Sequence, residues 1–153
     1  MNAGRGVDTL LPLVKERFGS GPQAGYSLLI DGFVNRFEAN KSIWPVIWKI
    51  HKRCKIGLLT NMYPGMLDAI GKEGLLPKED WDVIIDSSKV GIAKPDPRIF
   101  GLAERLAGVT GDEILFVDNN QTNIDAARKL GWQTFPYDPK APEVSSGRLA
   151  ALF

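Results

Sequence analysis

Residues 113–120, EILFVDNN, form a short and nearly continuous apolar run that ends in polar residues. Such a run is typical of a strand that is buried on both faces of a parallel sheet. Residues 55–60, KIGLLT, and residues 82–86, DVIID, have the same character, and residues 132–137, WQTFPY, indicate a fourth strand. The sequence therefore predicts a parallel sheet built from the later part of the chain.

Apolar residues with helical spacing fill the segments between these strands. Helices are predicted over residues 64–72, from Pro97 onward, over 122–130 and over 143–152. Asp96 has the short polar side chain of an N-cap, and Gly131 ends the helix before the last strand. Strands that alternate with helices imply βαβ units with right-handed crossovers, and hence an α/β fold.

The amino-terminal third has a different pattern. Amphipathic helices are predicted over residues 10–18, 26–37 and 42–53, and residues 19–22, GSGP, separate the first two. No apolar run typical of a buried strand precedes residue 55. We therefore expect this part of the chain to be helical.

Composition and charge limit the function classes. A chain of 153 residues suits one domain with its own core, and a net charge of +1 does not favour nucleic acid or an anionic membrane as a partner. One cysteine excludes a disulfide within the chain and a cysteine metal cluster. The sequence has neither the apolar run of a secretory signal nor the roughly 20 apolar residues of a membrane span. We expect a cytoplasmic protein.

Polar residues with a distinct chemistry follow three of the predicted strands. Thr60 and Asn61 end the first, Lys94 follows the second, and Asp118 ends the third. Ligands bind at the carboxyl ends of the strands in an open parallel sheet. A hydroxyl and a backbone N–H can hold phosphoryl oxygens, a lysine can neutralise their charge, and a carboxylate is a ligand for Mg²⁺. This combination suits magnesium-dependent phosphoryl transfer.

Three stretches together resemble the haloacid dehalogenase-like (HAD) hydrolases. They are residues 58–61, LLTN, residues 91–100, GIAKPDPRIF, and residues 114–131, which begin with ILFVDNN and end with LG. Each stretch alone is weak or moderate support, whereas all three in this order and spacing are specific. The resemblance covers residues 42–138.

The resemblance implies an architecture and a set of roles. Residues 41–153 would form a Rossmann-like parallel sheet with flanking helices that lacks its first strand, and residues 1–40 would form a partial helical cap. The implied roles are Lys94 as the catalytic residue that stabilises the nucleophile, Thr60 and Asn61 for substrate phosphate, Asp118 and Asn119 for Mg²⁺, and Asn123 in support of the Asp118 loop.

Two departures from the family pattern change what the resemblance implies. The family's nucleophile belongs to an Asp-x-Asp-x-Thr pattern on a strand ahead of the cap, and nothing in the sequence matches it. Asp31 has Phe33, and no second acid, two residues later, and its surroundings are helical, so we do not expect it to be the nucleophile. Asn119 stands where members of this type often have a second acid, so the affinity for Mg²⁺ should be lower.

Two functions follow from this pattern. The first is an Mg²⁺-dependent phosphatase that acts on a small phosphorylated metabolite in its full-length form, in which case this chain alone has little or no activity. The alternative is a non-catalytic relative that binds a phosphorylated ligand or a protein. A receiver-like signalling domain also uses Asp, Thr and a Lys-Pro pair, but receivers place the acids first, and here Lys94 precedes Asp118.

The absent strand also has a structural consequence. In the family it lies at the centre of the sheet, between the strands that end at Thr60 and Asp118. Without it, two interior edges expose unpaired backbone groups. We expect these strands to close up, to pair with another chain in a homo-oligomer, or to recruit another segment into the gap.

Other polar residues are expected to have structural roles. His51, the only histidine, is predicted to be a packed or surface side chain, and Cys54 is predicted to be a buried thiol. Asp82 and Asp86 flank a predicted strand and are expected to be solvated or to cap a helix.

Overall fold

The computed structural model describes residues 6–153. Along the chain its elements are α1 (Leu11–Phe18), α2 (Trp44–His51), β1 (Gly57–Thr60), α3 (Met66–Lys72), β2 (Val83–Asp86), α4 (Ser87–Val90), α5 (Pro97–Ala107), β3 (Leu115–Asp118), α6 (Gln121–Lys129), β4 (Gln133–Pro136) and α7 (Pro142–Ala150). The alternation of strands and helices after α2 confirms the predicted α/β fold. None of the helices between residues 6 and 153 is long and apolar enough to cross a membrane.

The strands form two separate parallel pairs. β1 pairs with β2, with Thr60 opposite Asp86, and β3 pairs with β4, with Asp118 opposite Pro136. Pro136 has no N–H to donate, and a position on an edge strand tolerates that. Each pair is joined by one helix, as a βαβ unit requires, so the two halves of the sheet are built from consecutive elements.

Local chemistry fixes where α5 begins and ends. The Asp96 carboxylate accepts a hydrogen bond from the backbone N–H of Arg98 at 2.9 Å, and Pro97 is the first helical residue, as predicted. The Arg98 guanidinium, 2.6 Å from Asp96 Oδ2, lowers the pKa of that carboxyl to about 2. Gly108 ends the helix with φ = 71°, in the left-handed region that favours glycine.

One core cluster joins the two strand pairs through α5. It contains Ile85 of β2, Phe100 of α5, Phe116 of β3 and Trp132 before β4. The ring of Phe100 lies edge-to-face against Phe116 at 5.6 Å and against Trp132 at 5.3 Å, which are favourable aromatic geometries. This packing holds the halves of the sheet on a common support.

An open slot separates β1 from β3. Both strands line a cavity of about 680 Å³, here called the central slot, which is also lined by Ile47 of α2 and Ala107 of α5. Within residues 6–153 the strands therefore neither close up nor recruit another segment, and those two expectations are wrong. The reason is the shared aromatic cluster, which fixes the spacing of the halves. Pairing with another chain stays a prediction.

The segment before α2 differs from its prediction. In place of one helix over residues 26–37, the structure has a π-helical turn at Leu28–Phe33 and a 3₁₀ turn at Val34–Arg36. Ser27 Oγ caps the first turn by accepting from the N–H of Ile30. Val34 is buried against α3, so tertiary packing breaks the regular helix.

Candidate functional site

The side chains of Lys94 and Asp118 form a nearly buried ion pair. Lys94 Nζ lies 2.7 Å from Asp118 Oδ2, and the two side chains are 10% and 7% exposed. Asp118 ends β3, whereas Lys94 lies in the loop that follows α4. The lysine therefore reaches from the β1–β2 half of the sheet to the β3–β4 half. The ammonium group also lies 5.3 Å from the centre of the Phe116 ring, a cation–π distance.

Asn61 holds the backbone of Lys94 in place. Its Nδ2 donates to the carbonyl oxygen of Lys94 at 2.8 Å, and its Oδ1 accepts from the N–H of Lys94 at the same distance. Asn61 follows β1 directly, so this double contact ties the end of β1 to the lysine loop. The side chain that the sequence assigns to substrate therefore makes a positioning contact in the structure.

Asp118 is also held by two asparagines. Asn123 Nδ2 lies 3.2 Å from Asp118 Oδ2 and 3.3 Å from Oδ1, and the backbone N–H of Asn120 donates to Oδ1 at 2.7 Å. Asn123 is buried in the first turn of α6. Asn120 caps that helix, since its side-chain oxygen accepts a hydrogen bond from the backbone N–H of Thr122. These contacts fix the direction of the carboxylate, which is the kind of support that the sequence predicts for Asn123.

Thr60 and Asn119 lie at the same end of the sheet but make fewer contacts. Thr60 Oγ1 donates to the carbonyl oxygen of Ile85 at 3.3 Å, a long hydrogen bond, and Thr60 also lines the central slot. Asn119 is exposed. The structure thus brings Lys94, Asn61, Asp118 and Asn123 into one connected corner, with Thr60 and Asn119 beside it.

These contacts also bring the carboxyl ends of β1 and β3 together. Asn61 at the carboxyl end of β1 binds the backbone of Lys94, and the side chain of Lys94 binds Asp118 at the carboxyl end of β3. The two carboxyl ends therefore lie together, as they do in a continuous parallel sheet. Thr60, which lies beside the corner, is also one of the residues that line the central slot.

The donor set limits what metal this corner can hold. Asp118 is the acid of the corner, and among residues 6–153 no three His, Cys, Asp or Glu side chains are grouped to hold a metal. Mg²⁺ is often bound through one or two carboxylates with waters and substrate phosphates completing its shell. The carboxylate of Asp118 and the amide oxygen of Asn119 are suitable ligands for such an ion. The expected affinity is low, because together they carry only one negative charge.

Asp86 is a buried acid to which the sequence assigned only capping or solvation. It is 4% exposed at the end of β2, and its Oδ1 accepts from both the N–H and the hydroxyl of Ser88. Its Oδ2 has no hydrogen-bond partner among the described residues. The capping role is confirmed, and the position of an acid directly after a buried apolar run is the signal that indicates its burial.

A second polar cluster lies at the amino end of β1. His51 Nδ1 lies 2.8 Å from Glu79 Oε1, and His51 Nε2 lies 3.2 Å from Asp82 Oδ2. The hydrogen bond to Glu79 raises the pKa of His51 above its ordinary value, and the charges of Glu79 and Asp82 act in the same direction. The predicted burial of Cys54 is wrong, since its thiol is exposed in the turn that connects α2 to β1.

Comparison with known proteins follows the same stretches of sequence. A family model for haloacid dehalogenase-like hydrolases matches residues 35–131. The (S)-2-haloacid dehalogenase of Xanthobacter autotrophicus is 32% identical over 104 residues, which are 64% of this chain and 40% of that protein. The phosphoserine phosphatase of Thermus thermophilus is 33% identical over 108 residues, which are 64% of this chain and 43% of that protein.

A solved structure shares the fold. It is a HAD family enzyme of Bacteroides thetaiotaomicron, a mutant in complex with magnesium and inorganic phosphate, with a TM-score of 0.65 and 21% identity. The match covers 82% of this chain and 66% of that one. The chain spans less than half the length of the two curated relatives above.

Proposed function

The chain belongs to the haloacid dehalogenase-like hydrolases, and we propose that it carries the phosphate- and magnesium-binding part of a phosphatase for small phosphorylated molecules. The observation that carries this proposal is the nearly buried pair of Lys94 and Asp118 at the carboxyl end of the sheet. A buried lysine that is fixed at both its backbone and its ammonium group can provide a preorganised positive charge for a phosphoryl group.

Each residue of the corner has a proposed role. Lys94 offsets the negative charge of the phosphoryl group and of an attacking carboxylate, and Thr60 with the backbone of Asn61 holds the phosphoryl oxygens. Asp118 and Asn119 hold Mg²⁺, which would neutralise phosphoryl charge, and Asn123 directs Asp118 toward it. The side chain of Asn61 supports the same chemistry by positioning Lys94.

The full-length form is proposed to contain the attacking carboxylate. Residues 1–40 would then be part of a helical cap. Residues 41–153 would be the core, and its first strand would belong to a part of the full-length form that is not in this chain. Without that carboxylate the covalent route is absent, so we expect this chain alone to release little or no phosphate from a generic ester.

Two relatives support the phosphatase assignment. The phosphoserine phosphatase of Thermus thermophilus is one, and the D-ribitol-5-phosphate phosphatase of Bacteroides thetaiotaomicron is 29% identical over 109 residues. The solved neighbour that contains magnesium and inorganic phosphate has the same fold. A non-catalytic relative that binds a phosphorylated ligand is the alternative, and Asn119, which weakens the metal corner, favours it.

Binding of inorganic phosphate tests the role of the corner without requiring turnover. The measurement is the ³¹P line width of phosphate with and without Mg²⁺, for the parent chain and for Lys94→Ala. We expect Lys94→Ala to weaken binding at least about tenfold, because a charge-assisted hydrogen bond is worth about 1.5–3 kcal/mol. Lys89→Ala is the matched control, since Lys89 lies on α4 with a side chain that is 63% exposed.

The same titration tests the phosphate site that both candidate functions require. Binding that strengthens with Mg²⁺ and requires Lys94 supports the proposed phosphate site. Indifference of the parent chain to phosphate contradicts both the phosphatase and the phosphate-binding alternative. Halide release from 2-chloropropionate by the full-length protein, with no hydrolysis of phosphate esters, would instead assign the dehalogenase activity of the Xanthobacter relative.

A further inference from the structure

We propose that Lys94 competes with Mg²⁺ for the carboxylate of Asp118, so that the ion binds this chain well only when a phosphate group has drawn the lysine away. The inference rests on the proposed phosphate and magnesium site, and it concerns how the two ligands of that site depend on each other. The observation behind it is the 2.7 Å contact between Lys94 Nζ and Asp118 Oδ2. The ammonium group and the metal ion would need the same oxygen.

The carboxylate of Asp118 has no free acceptor position for a cation. An ionised carboxylate offers about four lone-pair positions. Its Oδ2 accepts from Lys94 Nζ at 2.7 Å and from Asn123 Nδ2 at 3.2 Å. Its Oδ1 accepts from the backbone N–H of Asn120 at 2.7 Å and from Asn123 Nδ2 at 3.3 Å. A metal ion that binds Asp118 therefore displaces at least one of these donors.

Lys94 is the donor that a metal ion displaces. The N–H of Asn120 belongs to the N-cap of α6, and Asn123 is buried in the first turn of that helix, so neither moves without disturbing α6. The ammonium group of Lys94 ends a flexible side chain and is positively charged. Mg²⁺ binds oxygen at about 2.0–2.1 Å, so an ion on Oδ2 would lie within about 5 Å of the ammonium group, and the two cations would repel each other.

Burial makes this displacement unfavourable unless another anion is present. The side chains of Lys94 and Asp118 are 10% and 7% exposed, and among residues 6–153 Asp118 is the one carboxylate within salt-bridge distance of Lys94. An ammonium group that loses its partner in a buried site is strongly destabilising. Asn61 holds the backbone of Lys94, so the lysine as a whole does not leave with its ammonium group. We therefore expect Mg²⁺ alone to bind weakly.

Phosphate supplies the anion that this exchange requires. Its oxygens can accept charge-assisted hydrogen bonds from the ammonium group of Lys94, which frees Asp118 Oδ2 for the metal ion. Phosphate oxygens and water then complete the shell of Mg²⁺. Each ligand strengthens the binding of the other, and by thermodynamic linkage the factor is the same in both directions. Lys94 acts as an internal counter-ion that passes from Asp118 to the phosphate.

The affinity of the phosphate-free chain for Mg²⁺ tests the competition. Isothermal titration calorimetry measures it for the parent and for Lys94→Met. We expect Lys94→Met to bind Mg²⁺ at least about tenfold more tightly, a factor within the usual range of coupling between two sites. Lys94→Arg keeps the positive charge and should bind as weakly as the parent. Lys89→Met is the control for the loss of a charge, since Lys89 is 63% exposed on α4, and it should leave the affinity unchanged.

The ¹⁵N signal of the Lys94 ammonium group reports the exchange in the parent chain. Scalar coupling across the hydrogen bond to the carboxyl carbon of Asp118 identifies the ion pair. We expect this coupling to persist when Mg²⁺ is added alone and to disappear when Mg²⁺ and inorganic phosphate are added together. This measurement needs no variant, so it tests the proposal even where Lys94→Met does not fold, which circular dichroism verifies.

Two outcomes would overturn the inference and leave the proposed function in place. One is a folded Lys94→Met variant that binds Mg²⁺ no more tightly than the parent. The other is a parent chain that binds Mg²⁺ and phosphate while the coupling between Lys94 and Asp118 persists. A parent chain that binds no phosphate, with or without Mg²⁺, contradicts the proposed function and the inference together.

Discussion

The corner around Lys94 and Asp118 and the central slot differ in how many of their groups have a partner within the described chain. In the corner, nearly every polar group has a partner: the ammonium group has a carboxylate, the carboxylate has three further contacts, and Asn61 uses both ends of its amide. In the slot, two strand edges and their apolar side chains face empty volume.

The two regions depend on different parts of the chain for their partners. The contacts of the corner join short loops that follow strands, so residues 60–123 contain all of its partners. The slot lies between two strand pairs that no described residue connects by further pairing. A preorganised polar site can therefore persist beside an unfilled sheet.

Removal of Asp118 is the strongest way to break the corner. We expect Asp118→Ala to lower the free energy of unfolding by about 3–5 kcal/mol, because it leaves the ammonium group of Lys94 buried without a partner. Urea denaturation measures the change. The double variant Lys94→Met/Asp118→Leu should recover most of the loss, because no charge then remains buried.

An exposed ion pair is the matched control for that variant. Asp68 lies 3.6 Å from Lys89, and both side chains are more than 60% exposed. Asp68→Ala should cost less than about 1 kcal/mol, because solvent screens such pairs. Equal losses for the two aspartates would show that the corner is not preorganised by its buried charge.

Enlarging an alanine compares the slot with the filled core. Ala127 of α6 is 0% exposed in the aromatic core cluster, whereas Ala107 of α5 lines the slot. Ala127→Leu should destabilise the protein by about 1–3 kcal/mol through overpacking, and Ala107→Leu should change stability by less than about 1 kcal/mol. Thermal unfolding followed by circular dichroism measures both. A large loss at Ala107 would mean that the slot is closed in solution.

The pH dependence of stability tests the polar cluster around His51 at the amino end of β1. Contact with Glu79 raises the pKa of His51 above its ordinary value of 6.5. A raised pKa in the folded state means that the stabilising contribution is complete below about pH 6.5 and is lost as the pH rises through the folded-state value. We expect the urea midpoint to fall modestly between about pH 6 and pH 8.

The variant His51→Gln isolates that contribution. It should remove the fall of the urea midpoint over this pH range while leaving the stability at about pH 8 close to that of the parent. A fall of equal size in the variant would assign the pH dependence to other groups.

Elements with strong local signals could be predicted from the sequence. The apolar run that ends at Asp118 predicts β3, because a strand buried on both faces has apolar residues along its length. Asp96 and Pro97 predict the start of α5, because these residue types are favoured at the N-cap and at the first helical position. The placement of Lys94 and Asp118 at one edge follows from the rule that polar residues after parallel strands meet there, whereas their direct ion pair was not predicted.

Features that depend on distant packing could not be predicted. The π-helical turn at Leu28–Phe33 forms where Val34 packs on α3, and helical periodicity alone does not report such a contact. The open slot exists because Phe100 packs against β3 while α5 also packs on β2, which fixes the spacing of strands that are far apart in the sequence.

The turn before β1 contains a side chain that a reagent can modify. Cys54 is the only thiol of the chain, it is exposed, and it lines the slot. A thiol reagent therefore reacts at a single known point on the wall, and its rate of reaction depends on access to that point. The alkylation rate of Cys54 therefore reports whether the slot is occupied: it is fast when this part of the slot is open to solvent and slow when another molecule covers it.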